Sequence, residues 1–214
     1  QAIKFDPKYA NAYANLGALL IESSRLEEAE IQLRKAIKID SKHLNALSNL
    51  GIVLYKLNRI KDSESILRKA IEINPNFAIA YSNLGITLLK KGEAKQAEFS
   101  FRSAIKIDPL LADAFSNLGS ILEKQGRREE AEFYLRKAIN INPNLVDAYT
   151  NLGSTFQSIK QYEKAEKYHR KALDINKDHQ EANLNLGYFL LVKGENIEAE
   201  IYLEKAIRIN DDSV

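Results

Sequence analysis

With 45% hydrophobic and 28% charged residues over 214 positions, the chain has the make-up of an ordered protein forming one large or two small domains. A net charge of +2 is too small to mark a dedicated nucleic-acid binder. No apolar run approaches the roughly 18 residues of a membrane span, and the absence of Cys removes disulfides, thiolate metal sites and cysteine nucleophiles.

The chain opens QAIKFDPKYA, and its AIKFDP, Ala2 to Pro7, parallels AIKIDP at Ala104 to Pro109. Residues 1–9 are expected to be the end of a truncated preceding repeat, the chain being a piece of a longer array. From Ala10 a fixed period takes over. The tripeptide NLG begins at Asn15, Asn49, Asn83, Asn117, Asn151 and Asn185, an interval of 34 residues each time. Six repeats follow, at 10–43, 44–77, 78–111, 112–145, 146–179 and 180–213, expected to form one continuous domain.

Each repeat reads as two amphipathic helices. In the first, Ala12, Tyr13, Leu16, Gly17 and Leu20 share one face at helical spacing. A weak break follows, as in KKGEAKQ at Lys90 to Gln96, and the second helix then buries Ala29, Leu33, Ala36 and Ile37. Small residues at Gly17 and Ala29 let two helix backbones approach closely. Pro75, Pro109 and Pro143 stand just past the second helix, where proline blocks continuation.

The pattern Y-x2-LG…A-x3-[LF]-x2-A…P at this period resembles the tetratricopeptide repeat, over essentially the whole chain. The resemblance implies an all-α fold, a right-handed superhelical α-solenoid of antiparallel helix pairs. Departures fall late: Asn183 replaces a large apolar residue, His169 replaces Leu or Phe, and Lys177 and Asp211 replace proline. His169 is expected to be partly buried and hydrogen-bonded. Along the second helices, Glu30–Arg34, Glu64–Arg68, Glu98–Arg102, Glu132–Arg136 and Glu166–Arg170 are i,i+4 pairs. The Arg-Lys columns (Arg34, Lys35, Lys38 and equivalents) are expected to be a solvated face rather than a stripe for acidic partners.

The asparagine column, Asn15, Asn49, Asn83, Asn117, Asn151 and Asn185, needs a separate reason. Asn is a mediocre helix former, at a cost of roughly half a kcal/mol relative to Ala, and here it recurs six times while the neighbouring column runs Ala18, Ile52, Ile86, Ser120, Ser154, Tyr188. One reading has each Asn bonding to the adjacent repeat's backbone. The other uses its carbonyl and NH2 together to pair with the N–H and C=O of a bound peptide. Helices packed about 8–10 Å apart would meet an extended peptide, rising about 3.3 Å per residue, near every third residue. The column resembles the asparagine ladders of the tetratricopeptide arrays in O-linked N-acetylglucosamine transferases, which hold extended peptide, and the six asparagines would then be backbone clamps on the inner surface. A chaperone-type carboxylate clamp does not fit, since the matching inner positions Asn11, Asn45, Ile79, Asp113, Asp147 and Glu181 include no basic residue.

The groove is expected to be apolar in its first half, with Ile21, Ile52, Tyr55, Ile79, Ile86 and Leu89. It turns polar and acidic further on, with Asp113, Glu123, Asp147, Gln157 and Glu181. Such a groove suits a ligand with apolar side chains at one end and Lys or Arg at the other. In the last repeat Leu184, Tyr188, Leu191 and Val192 make an apolar strip, read as a docking surface for another domain or a second copy. Catalytic constellations are absent, and His43 and His179 fall in the loop column before a new repeat. The expectation is a non-enzymatic scaffold without cofactor or metal, whose partner is a protein or extended peptide rather than nucleic acid or membrane. Self-association through the C-terminal repeat and a default cytoplasmic location are also expected. The alternatives are the substrate-recruiting region of a larger enzyme, such as a glycosyltransferase, and an architectural or oligomerisation scaffold.

Overall fold

A computed structural model describes residues 9–211, with side chains as far as Ile209. The preceding-repeat remnant, apart from Tyr9, and the Asp211 side chain lie outside what is described. Twelve α-helices and no strands occur among the described residues. They are α1 (Ala10–Glu22), α2 (Leu26–Ile39), α3 (Leu44–Lys56), α4 (Ile60–Ile73), α5 (Ala78–Lys91), α6 (Ala94–Ile107), α7 (Ala112–Lys124), α8 (Arg128–Ile141), α9 (Val146–Ser158), α10 (Tyr162–Ile175), α11 (Gln180–Lys193) and α12 (Asn196–Asp211). The fold class is an all-α solenoid of helical repeats. Two compact units divide the chain, Gln1–Pro109 and Leu110–Val214.

Within each unit the same packing recurs. A first helix packs on its own second helix, and that second helix packs on the next first helix. Successive first helices also touch one another, α1 on α3 on α5 in the first unit and α7 on α9 on α11 in the second. The glycine of NLG makes this possible. A Cβ on Gly51 would stand 2.6 Å from Leu67, and one on Gly85 2.7 Å from Phe101, so the second helix occupies the space any side chain would need. Ala29, Leu33, Ala36, Ala46, Leu50 and Leu54 form the first layer of core, all but fully buried.

Local chemistry sets both turns of the repeat. After each first helix one residue takes the left-handed conformation: Ser24, Asn58, Gly92, Gly126, Lys160 and Gly194. The amide after it reaches five residues back, as Arg59 N–H to Leu54 O at 2.8 Å and Gln161 N–H to Phe156 O at 2.9 Å, which satisfies an otherwise orphaned helix carbonyl. After the second helix an Asp or Asn in extended conformation turns the chain. The Oδ1 of Asp40, Asn74, Asn142 and Asn176 accepts from the backbone N–H two residues on at 2.9–3.0 Å.

Departures from the pattern resolve differently. Asn183 is buried, and its Nδ2 donates to the carbonyls of Lys177 and His179, both at 2.9 Å, tying down a loop that has no proline. His169 corrects an expectation. It is fully buried rather than partly so, and neither ring nitrogen has a hydrogen-bond partner among the described residues. The reason is its column: its ring lies where Leu or Phe sits elsewhere, 2.6 Å from the place a Cβ on Gly153 would take.

Candidate functional site

The asparagines lie on the first helices, on the side opposite the core glycine's neighbours. Asn15 is exposed, whereas Asn49, Asn83, Asn117, Asn151 and Asn185 are half-buried. Three reach back across a repeat boundary: Asn83 Nδ2 donates to Ser48 Oγ at 2.9 Å, Asn151 Nδ2 to Ser116 Oγ at 3.4 Å and Asn185 Nδ2 to Ser154 Oγ at 3.3 Å. The partner is thus a hydroxyl of the preceding repeat, not its backbone. For Asn83 and Asn151 the signal was present in the sequence as a column of buried hydroxyls, Ser48, Ser82, Ser116 and Thr150, directly before the asparagines, whereas Ser154, the partner of Asn185, stands in another column. Each bond uses one N–H. The second N–H and the carbonyl Oδ1 are what such an amide offers to a ligand.

In the first unit Asn83 opens onto a pocket of about 250 Å³. Ile52 and Tyr55 of α3 and Ile86 of α5 line it, with Gly51, Lys56 and Thr87. Four of the sequence-selected groove residues therefore come together around one small apolar hollow. Ile79, Leu89, Asn45 and Asn11 do not line it. In the second unit the corresponding surface at Asn185 is a hollow of about 360 Å³ edged by Ser154, Gln157, Ser158 and Tyr188, more polar than the one at Asn83. Asp113 and Glu181 stand exposed on the first turns of α7 and α11.

Two inner residues have a prior engagement that sequence reasoning missed. His43 caps α3, its Nδ1 accepting from Ala46 N–H at 3.3 Å, while Nε2 lies 2.8 Å from Asn11 Oδ1. His179 repeats the arrangement at α11, with Ala182 N–H donating to Nδ1 at 3.2 Å and Nε2 2.9 Å from Asp147 Oδ1. An Nδ1 that accepts fixes the neutral tautomer with its proton on Nε2. The hydrogen bond to Asp147, opposed by burial, raises the His179 pKa above its ordinary value. Asn11 and Asp147 thus pair first with the histidine that ends their own repeat and caps the next first helix. These histidines are legible as polar exceptions in a column otherwise filled by Tyr9, Phe77, Leu111 and Leu145.

On the second helices all five i,i+4 pairs form, at 2.8–2.9 Å. The structure adds a second partner from the next repeat: Arg59 to Glu30, Lys91 to Glu64 and Lys193 to Glu166, at 2.7–2.8 Å. Hydrogen bonds from Lys193 and then Arg170 outweigh burial and hold the Glu166 carboxyl below its ordinary range. Arginines so paired make a solvated structural face. In the last repeat Tyr188, Leu191 and Val192 are 54%, 42% and 67% exposed, while Leu184 is half-buried. Among the described residues no group of His, Asp and Glu is placed to hold a metal ion, and no helix is long and apolar enough to cross a membrane.

Family models described as tetratricopeptide repeat match residues 1–31 and 66–99, 43–74, 112–145 and 146–179, and 180–213. No curated protein matches the chain. Solved structures do. That of Pseudomonas aeruginosa pilF is 22% identical with a TM-score of 0.76, covering 90% of this chain and 88% of its own. The APC/C hetero-tetramer Cut9–Hcn1 is 15% identical with a TM-score of 0.89, covering 97% of this chain and 41% of its own. YrrB, described as a TPR protein with an unusual peptide-binding site, is 27% identical with a TM-score of 0.58, covering 85% and 93%. With the 34-residue period, the paired helices and these matches in agreement, the chain belongs to the tetratricopeptide-repeat family, whose members generally mediate protein–protein interaction.

Proposed function

We propose that the chain is a binding module that holds an extended peptide segment against its first helices, through the asparagine amides and the pockets beside them. The observation that carries this reading is the hollow at Asn83. A hydrogen-bonding amide, oriented by Ser48, stands at the edge of an apolar pocket about the size of one side chain. An amide of this kind can pair with the N–H and C=O of one peptide unit while Ile52, Tyr55 and Ile86 take the neighbouring side chain. Peptide binding by YrrB, a related structure, agrees with the reading. In the second unit the exposed Asp113 and Glu181 favour a ligand segment carrying Lys or Arg.

The test is a display selection of unstructured peptides on the parent and on an Asn49→Ala/Asn83→Ala variant whose helicity is checked by circular dichroism. Peptides enriched for apolar residues on the parent and lost on the folded variant support the clamp. Equal enrichment on both would leave the asparagines with only their bond to the preceding serine. A second reading, self-association through Leu184, Tyr188, Leu191 and Val192, is favoured by the exposure of that strip. It predicts a dimer in sedimentation equilibrium that Tyr188→Glu returns to monomer; a parent that stays monomeric at high concentration removes it.

A further inference from the structure

On the side of the stack away from the asparagines, one column of the second helices runs Gln32, Ile66, Ser100, Tyr134, Tyr168, Tyr202. In the second unit its tyrosines fill the angle between a second helix and its neighbours. Tyr168 stacks on Phe156, with ring centroids 5.4 Å apart and planes 14° from parallel. Tyr134 lies edge-on to Phe133 at 5.2 Å. Tyr202 brings its hydroxyl to 3.5 Å from Arg170 Nη1, the arginine 32 residues before it.

Ser100 leaves that angle empty. Its hydroxyl turns back to Gln96 O at 2.9 Å, and beside it is a cavity of about 580 Å³ walled by Ile71, Tyr81, Leu84, Leu88 and Phe99. The equivalent niche around Tyr202, lined by Arg170 and Leu173, measures about 270 Å³. The arginine is retained: Arg68 lines the larger cavity 32 residues before Ser100, held by Glu64 and Gln96 as Arg170 is held by Glu166 and Glu198. Phe99, on the rim, is 69% exposed. The socket therefore keeps the walls and the hydroxyl's neighbour of a tyrosine site and lacks the tyrosine.

We propose that this cavity is a docking socket for a tyrosine side chain from an extended segment of another protein. The ring would take the place that Tyr134, Tyr168 and Tyr202 fill in their own repeats, and its hydroxyl would lie against Arg68. The chain's own exposed tyrosines are poor candidates. Tyr162 and Tyr188 lie on helices, with Tyr162 against the ring of Phe189, and Tyr9 sits at the start of α1. Lys95 and Glu72 bring opposite charges to the lining, so it is the ring and its hydroxyl, not a charged neighbour, that the cavity selects. The inference does not depend on the asparagine groove, which lies on the opposite side of α5: Tyr81 and Asn83 are two residues apart in a helix and face opposite ways.

The probe is p-cresol, the tyrosine side chain cut at Cβ, titrated into the 15N-labelled protein with toluene as the comparison. Saturable amide shifts confined to α4, α5 and α6 are expected, with p-cresol binding more tightly than toluene. Ser100→Tyr should abolish them and raise the melting temperature, since it supplies in cis what the probe supplies in trans. Phe99→Ala should weaken binding by roughly tenfold, the worth of one aromatic wall, whereas Asn83→Ala, which breaks the peptide groove, should leave it unchanged. Non-saturable shifts, or shifts that persist in Ser100→Tyr, would overturn the socket. A parent dimer dissociated by Ser100→Tyr would place the tyrosine in a second copy and overturn the assignment to another protein.

Discussion

The two compact units are built from the same repeat, yet they treat their exceptions differently. In the first, the core column opposite the NLG glycines is apolar throughout, Leu33, Leu67 and Phe101; in the second it runs Leu135, His169, Leu203. The second unit also loses an aromatic at Asn183. There the loss is partly offset, because the Asn183 Nδ2 donates to the carbonyls of Lys177 and His179, while its Oδ1 has no partner among the described residues. His169 has not even that, since neither of its ring nitrogens is bonded among the described residues. A tetratricopeptide repeat thus absorbs a polar residue in its core when a backbone carbonyl is within reach, and otherwise keeps it at a cost in stability. The groove side differs in the same direction, from the apolar hollow at Asn83 to the more polar one at Asn185.

The largest expected effect that sharpens this contrast is on acid stability. Burial lowers the His169 pKa from 6.5 to about 4. Between those values the unfolded chain binds a proton that the folded chain refuses. The contribution of the neutral ring is therefore present above pH 6.5 and is lost as pH falls toward 4. A shift of this size corresponds to about 3 kcal/mol once both states are protonated. His169→Leu, the residue of four sister repeats, should remove that loss. At neutral pH it should stabilise the protein by about 1–3 kcal/mol by ending the burial of an unpaired polar ring. Urea titrations from pH 7.5 to pH 4 read both effects as the parent-minus-variant difference, in which carboxylate protonation cancels. A difference independent of pH would show that His169 is not buried as a neutral ring.

Close helix approach comes next in size. A Cβ on Gly119 would lie 2.5 Å from Leu135 Cγ and 3.3 Å from the backbone carbonyl of Ala131, so α7 and α8 would have to part. Gly119→Ala gains about 1 kcal/mol of helix propensity but overpacks the core at about 1–3 kcal/mol. The expected outcome is a lower melting temperature, and a rise would mean that Leu135 has another rotamer available. Gly92→Ala separates packing from backbone. It meets no atom within 4 Å, but its φ of +86° is unfavourable for a residue with a side chain. Its loss of about 1 kcal/mol should therefore be unaffected by trimming Phe101.

Much of this architecture is written in the sequence because its determinants are local and repeated. Gly17 and its five equivalents, the i,i+4 carboxylate–arginine pairs and the prolines each specify geometry within one repeat, and the period multiplies the signal. The contacts between repeats were harder to see. Glu30 to Arg59, Asn83 to Ser48 and His179 to Asp147 join residues 29, 35 and 32 positions apart. Only the superposition of one helix on the next makes them neighbours. The burial of His169 was underestimated for a related reason: its column was clear, but whether a carbonyl lay near its nitrogens depended on packing. The Ser100 cavity was equally hidden, since a serine among tyrosines in a variable column carries no meaning until the walls around it are known.

The smallest effect concerns the turn after each first helix. The left-handed position is filled by Gly92, Gly126 and Gly194 in three repeats but by Ser24, Asn58 and Lys160 in the others, with φ of 57°, 60° and 60°. Asn tolerates this conformation better than most residues, while lysine, with a Cβ crowded against the following carbonyl, bears about 1 kcal/mol of strain. Lys160→Gly should therefore stabilise the second unit by somewhat less than about 1 kcal/mol, the relief being offset by the greater entropy of glycine in the unfolded chain. Asn58→Gly should be nearly neutral. Differential scanning calorimetry of both variants beside the parent reads the contrast directly. Equal shifts would mean that the side chain at this position does not matter and that the turn is held by its backbone hydrogen bonds alone, Gln161 N–H to Phe156 O and Arg59 N–H to Leu54 O.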